Sequence, residues 1–179
     1  MRLRMLVLPA LVLAFAACAS TGAKPLGSAA AALEAKSGSK VTGKAVFTRI
    51  EGDWLHLRID IAGATPGLHA VHIHEKGDCS AADAATAGGH WNPWKKKHGA
   101  WMQVDGEFHL GDLGNIEVGA DGMGAFEVTT DQFDMGCNCE KDVVGRSVVV
   151  HEKADDLRTD PTGNAGSRIA CGPIKAARK

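Results

Sequence analysis

From Trp54 to Ala62 the chain alternates. Trp54, His56, Arg58 and Asp60 fall on one side, Leu55, Leu57, Ile59 and Ile61 on the other. Successive side chains of a strand point to opposite faces, so this run predicts a strand with one buried face. The run Lys44 to Ile50 leads into it through Glu51-Gly52-Asp53, and the two predict a hairpin. Gly63-Ala-Thr-Pro-Gly67 is a turn, and Leu68 to His74 a further strand. Residues 115–130 predict a second hairpin around Ala120-Asp121-Gly122. Gly145 to His151 and Arg168 to Ile174 are the last two strands. Ala29 to Ala35 is ambiguous, being the only stretch that could be helical by propensity. Many short strands with Gly-rich turns predict an all-β sandwich or barrel. Glu75 to Leu113 and Glu152 to Ser167 lack the alternation and are rich in His, Asp and Gly. Irregular loops of that length in a compact domain are commonly functional.

The N-terminus changes the picture. Arg2 and Arg4 precede an apolar run from Met5 to Ala17, 13 residues long. A spanning helix needs about 20 residues, so the run predicts an export signal over 1–17. Two cleavage readings stay open. Ala17-Cys18-Ala19 fits an ordinary signal, whereas Phe15-Ala16-Ala17-Cys18 resembles a lipoprotein signal in which Cys18 is lipidated and anchors the chain to a membrane. Both predict an exported protein of the periplasm or cell envelope, in a compartment that permits disulfides. Residues 18–28 read as a flexible tether and 29–179 as one folded domain. The chain has 179 residues and a formal charge of −1, so net charge gives no sign of a nucleic-acid partner. Loss of Arg2 and Arg4 with the signal takes the charge to −3.

Seven of the eight His lie at or after position 69. His72 and His74 share one face of a predicted strand, about 7 Å apart at the backbone, and can converge on one metal ion. His69 has the opposite parity and reads as structural. His90, His98, His109 and Asp112 offer three imidazoles and a carboxylate, a donor set suited to four-coordinate zinc if a loop folds back to gather them. His151 ends a strand and takes the inventory beyond one tetrahedral site. All-imidazole ligation without thiolate suits Cu²⁺. His56 receives no function.

Gly67-Leu-His-Ala-Val-His-Ile-His74, Gly88-Gly-His-Trp-Asn-Pro93, Lys97-His-Gly99, Gly111-Asp-Leu-Gly-Asn115, Gly145-Arg-Ser-Val-Val-Val-His151 and Thr162-Gly-Asn-Ala-Gly-Ser-Arg-Ile-Ala-Cys-Gly172 together resemble the copper/zinc superoxide dismutases, in that family's order. Glu75-Lys-Gly-Asp-Cys-Ser80 resembles the bacterial exported branch. The resemblance implies an eight-stranded Greek-key β-barrel, also described as a sandwich. It implies copper on His72, His74, His90 and His151, and zinc on His90, His98, His109 and Asp112, with His90 shared. It implies Asp155 as a carboxylate joining a copper-ligand His to a zinc-ligand His, and Cys79–Cys171 as a disulfide. Arg168 is the implied guide for the superoxide anion. The implied reaction alternately reduces and oxidises copper, giving oxygen and hydrogen peroxide, with His90 releasing copper on reduction and carrying a proton. A homodimer is compatible with the sequence. The competing class is an envelope protein that buffers or delivers copper without turnover, which needs neither Arg168 nor a shared His90.

Lys153 is a further candidate for guidance, and Lys95-Lys96-Lys97 reads first as a solvated face. Trp91 and Trp94 read as loop packing beside the bridging position rather than as walls of a channel. Cys137 and Cys139 fall outside the family pattern. Three readings stay open for them: a small disulfide, a soft-ligand pair for Cu⁺, and intermolecular bridging.

Overall fold

The computed structural model describes residues 27–50, 53–102 and 106–177. The export signal, Cys18 and most of the tether lie outside the described residues. Nine strands follow in chain order: β1 (Ser28–Ala35), β2 (Thr42–Arg49), β3 (Leu55–Ala62), β4 (Gly67–His74), β5 (Asp112–Val118), β6 (Met123–Thr130), β7 (Ser147–His151), β8 (Arg168–Pro173) and β9 (Lys175–Ala176). The first eight pair in the order β2-β3-β6-β5-β4-β7-β8-β1, and β1 pairs with β2 to close an antiparallel barrel. The two residues of β9 extend the pairing along β1. β3 pairs with β6 and β4 with β7, so the connections cross between hairpins as in a Greek key.

The alternation of β3 is realised residue by residue. Leu55, Leu57, Ile59 and Ile61 are buried, and Arg58 and Asp60 face solvent. Trp54 sits before the strand and is 47% exposed. The Ala-rich segment is a strand, not a helix. Ala29, Ala31 and Leu33 point into the barrel and pair across to β2, so partner strands and a buried face override helix propensity. Asp112 and Leu113, expected at the end of the first loop, instead begin β5.

Strands β4 and β7 depart from simple alternation, being buried on both faces apart from the first two residues of β4. Val71, Ile73, Val148 and Val150 join the barrel core. The opposite face, with His72, His74 and His151, is covered by the two long loops. The first loop is clamped to β4 by backbone. Trp91 N–H donates to Ile73 O, Ile73 N–H to Gly111 O, and Gly111 N–H to Trp91 O. The Trp91 ring is buried, stacks on Phe133 at 5.8 Å and lies under the Arg146 guanidinium at 4.3 Å, so it is a packing residue as expected. Trp94 donates to Glu140.

Candidate metal centre

Because the metal-bearing face of β4 lies outside the barrel and under loops, the site is a buried polar layer between sheet and loops. His72 and His74 come from β4, His151 from the end of β7, and His90 from the loop strand that bridges to His74. A β-bulge between Val71 and His72 shifts the register against β5 and brings Asp112 opposite His72. His69 faces away. Its Nδ1 donates to His151 O and its Nε2 lies 2.8 Å from Thr65 O, so it pins the strand ends as the structural residue its parity predicts.

Two overlapping donor sets result. His72, His74, His90 and His151 bring one ring nitrogen each within 4.8 Å of the others, and so do His90, His98, His109 and Asp112 with their ligand atoms. All seven residues are buried. His72 Nδ1, His74 Nε2, His90 Nε2 and His151 Nε2 are buried and have no hydrogen-bond partner among the described residues. Orphaned buried polar atoms are costly, and four aimed at one point fit a nitrogen-ligated metal. In the second set three Nδ1 atoms crowd one carboxylate. His90 Nδ1 lies 2.8 Å and His109 Nδ1 3.1 Å from Asp112 Oδ1, and His98 Nδ1 lies 3.0 Å from Asp112 Oδ2. The His98 contact is close but not aligned as a hydrogen bond, so that nitrogen is orphaned too. Ligands ~2.0 Å from a tetrahedral centre stand ~3.3 Å apart, which these separations approach. The residues therefore fit copper in the first set and zinc in the second.

The supporting contacts fix ring orientation. Asp155 Oδ2 lies 2.8 Å from His72 Nε2 and Oδ1 2.9 Å from His98 Nε2, so one buried carboxylate joins the two sets. Asn115 holds Asp155 by its backbone, donating to Asp155 O and accepting from Asp155 N–H. His98 N–H donates to Asp160 Oδ1. Gly88 O accepts from His74 Nδ1 at 3.0 Å and from the Arg168 guanidinium at 2.7 Å. Arg168 also donates to Ala84 O. Sequence reasoning missed Asn115, Asp160 and the Gly88 carbonyl as actors. Gly88 and Asn115 sit inside the quoted motifs, but a carbonyl acting through the backbone leaves no side-chain signal.

Electrostatics follow burial and partners. Burial pushes His74 and His151 well below the ordinary His value, and takes His90 down to about 4 against the pull of Asp112. These rings are neutral at pH 7, the form that ligates metal. Burial opposes charge on His98 as well, but Asp112 and Asp155 outweigh it and raise it to about 9. Burial would raise Asp112 and Asp155; hydrogen bonds from the flanking His rings hold both well below the usual carboxylate range.

A cavity of about 590 Å³ opens beside the first set, lined by Ser37, Asp83, Gly88 and Arg168 among others. Arg168 charge is felt at His74 and His151. Gly166 lines the cavity, and the Lys153 side chain packs beside it. Lys96, by contrast, pairs with Glu107, and the backbone N–H of Lys97 donates to the same carboxylate. Cys79 and Cys171 form a disulfide with Cα atoms 5.8 Å apart, and Cys137 pairs with Cys139.

Residues 41–174 match the family model described as copper/zinc superoxide dismutase (SODC). The chain is 38% identical over 173 residues to the extracellular superoxide dismutase [Cu-Zn] of Caenorhabditis elegans, covering 92% of this chain and 76% of that one. It is 42% identical over 142 residues to superoxide dismutase [Cu-Zn] 2 of Mesembryanthemum crystallinum, covering 76% and 88%. The crystal structure of the clock protein EA4 superposes with a TM-score of 0.76 at 34% identity, over 87% of this chain and 98% of that one. The chain belongs to the copper/zinc superoxide dismutase family.

Proposed function

We propose that the chain dismutates superoxide to oxygen and hydrogen peroxide, with His72, His74, His90 and His151 holding copper and His90, His98, His109 and Asp112 holding zinc. The observation that carries this assignment is the set of orphaned ring nitrogens meeting at one buried point beside Arg168. Copper, when bound, would supply one-electron redox chemistry, and zinc a fixed positive charge. The chain does the rest. Asp155 holds His72 and His98 in one orientation, so the two sets are built as a unit. Gly88 O fixes the His74 tautomer and aims Arg168. Arg168 stands in the cavity wall, partly buried, where a guanidinium attracts and orients a small anion. His90 Nε2 has no hydrogen-bond partner among the described residues, so whenever it is not ligating metal it can hold a proton for the product.

The export signal, the tether of 18–28 and lipidation at Cys18 complete the reading. An exported location is supported by the apolar run after Arg4, by the disulfides and by the relative described as extracellular. The test is reconstitution of the mature chain with copper and zinc, then pulse radiolysis with cyanide as control. A cyanide-sensitive rate constant near ~10⁹ M⁻¹s⁻¹ is expected. Tight binding of both metals with negligible turnover would overturn the assignment and make the chain a copper buffer.

A further inference from the structure

The Cys137/Cys139 pair takes no part in the site above. It lies in the connection between β6 and β7, and both residues are exposed. Their sulfurs and a carboxylate oxygen of Asp134 form a donor cluster within 4.8 Å. The loop that carries them is held without help from the bridge. Asp142 accepts N–H groups from Gly136, Asn138 and Val144 at 2.9–3.0 Å. Asp134 N–H donates to Lys141 O, and Val143 N–H to Asp134 O. Arg49 pairs with Asp134, and Phe133 and Met135 are buried in the core on either side. Asn138, between the cysteines, takes a left-handed φ of 52°. Opening the disulfide thus leaves two thiols on a backbone that stays in place, with Cα atoms 5.2 Å apart.

We propose that the reduced Cys137/Cys139 pair is a second, surface metal site, selective for Cu⁺. Bridge opening needs a small-molecule or protein thiol. Its thiolate attacks one sulfur and expels the other; a second thiol then releases the first. Overall two thiols become one external disulfide, and the bridge gains two electrons and two protons. Cu⁺ then replaces both protons and binds two thiolates. Soft thiolates select Cu⁺ over harder ions. Asp134 Oδ1 is already engaged by Arg49 and by Met135 N–H. The two thiolates are donors enough for Cu⁺, and even with an Asp134 oxygen the cluster falls short of the four that Zn²⁺ requires. The chain would then carry two copper sites of opposite preference: buried imidazoles for Cu²⁺ and exposed thiolates for Cu⁺.

The experiment uses the mature chain already loaded with copper and zinc, so that the buried site is filled. The exposed bridge is opened anaerobically with a mild thiol, counted by thiol labelling, and the protein is titrated with Cu⁺ against a Cu⁺-chelating dye. One added equivalent of Cu⁺ is expected, with a new ultraviolet thiolate-to-copper band. None is expected in the disulfide form or in C137S/C139S, whose superoxide consumption is unchanged. Equal Cu⁺ uptake by the wild type and C137S/C139S would overturn the proposal, as would displacement of the added Cu⁺ by equimolar Zn²⁺. Superoxide consumption by the same samples reports separately on the buried site.

Discussion

Gly163 shows how narrowly the metal centre is built. Its φ is +62°, and a Cβ there would overlap the Asp155 carboxylate and come within 2.7 Å of His98 Nε2. Asp155 has no room to shift and keep its contacts, because Asn115 grips its backbone and its side chain is fully enclosed between His72 and His98. Gly163→Ala therefore moves the one carboxylate that serves both donor sets. Outer acceptors of ligand His rings are worth about 10–100-fold in metal affinity. The expected outcome is a loss of roughly that size for copper and zinc together, read by competition with chelators. Gly38→Ala is the control: it has a similar positive φ of +74° but open space around the added methyl, so it carries the backbone cost alone and keeps both metals. Wild-type affinity at both sites in Gly163→Ala would refute the argument.

At the scale of elements, the loop that carries His90 depends on its fastening to the last strand. Cys79 and Cys171 lie 92 residues apart in sequence, and their bridge packs with Ala84, Ala87 and Val149 in a small cluster outside the barrel. Closing so long a loop constrains the unfolded chain by about 4–5 kcal/mol in the chain-entropy view. The same loop presents Ala84 O and Gly88 O to Arg168. Replacing both Cys79 and Cys171 by Ser is expected to lower the free energy of unfolding, read from urea titration, by roughly that amount, with a lower midpoint as its sign. It should also slow superoxide consumption under conditions where the barrel is still folded. A lower midpoint with an unchanged rate would show that Arg168 keeps its aim without the bridge. Sequence was most legible for elements whose side chains face one way only. The alternation of Leu55 to Ile61 and the parity of His69 against His72 and His74 carried directly into the structure. Ala29 to Ala35 was not legible, because alanine records neither a face nor a partner strand, and pairing with β2 decided the matter. Strand parity paired His72 with His74 and residue type singled out the other donors, but their grouping into two sets came from the resemblance, since only a folded-back loop can bring His90, His98 and His109 together. Asn115 and Gly88 act through tertiary placement and backbone atoms, which no spacing reveals.

For the whole molecule, the field at the site opposes the net charge. Without residues 1–17, which the proposed export signal would remove, the chain carries a formal charge of −3, which attracts no anion from a distance. Arg168, held in the cavity wall, is the proposed local attraction for one nearby. Screening separates the two by range: the Debye length is ~30 Å at 0.01 M salt and ~10 Å at 0.1 M. Salt added from low concentration first screens the distant repulsion, so the second-order rate rises or holds level. Further salt reaches the short-range attraction, and the rate falls. The expected profile has a maximum near ~0.1 M. Arg168→Ala removes the attraction, so its rate should drop roughly tenfold, within the range that local fields supply. Its profile should lose the falling limb and climb toward a plateau. Pulse radiolysis of both proteins across this range decides the matter. A wild-type rate that only climbs with salt, or a falling limb that survives in Arg168→Ala, would place the guiding charge elsewhere. Lys153, packed beside Gly166 at the cavity, is then the next side chain to replace.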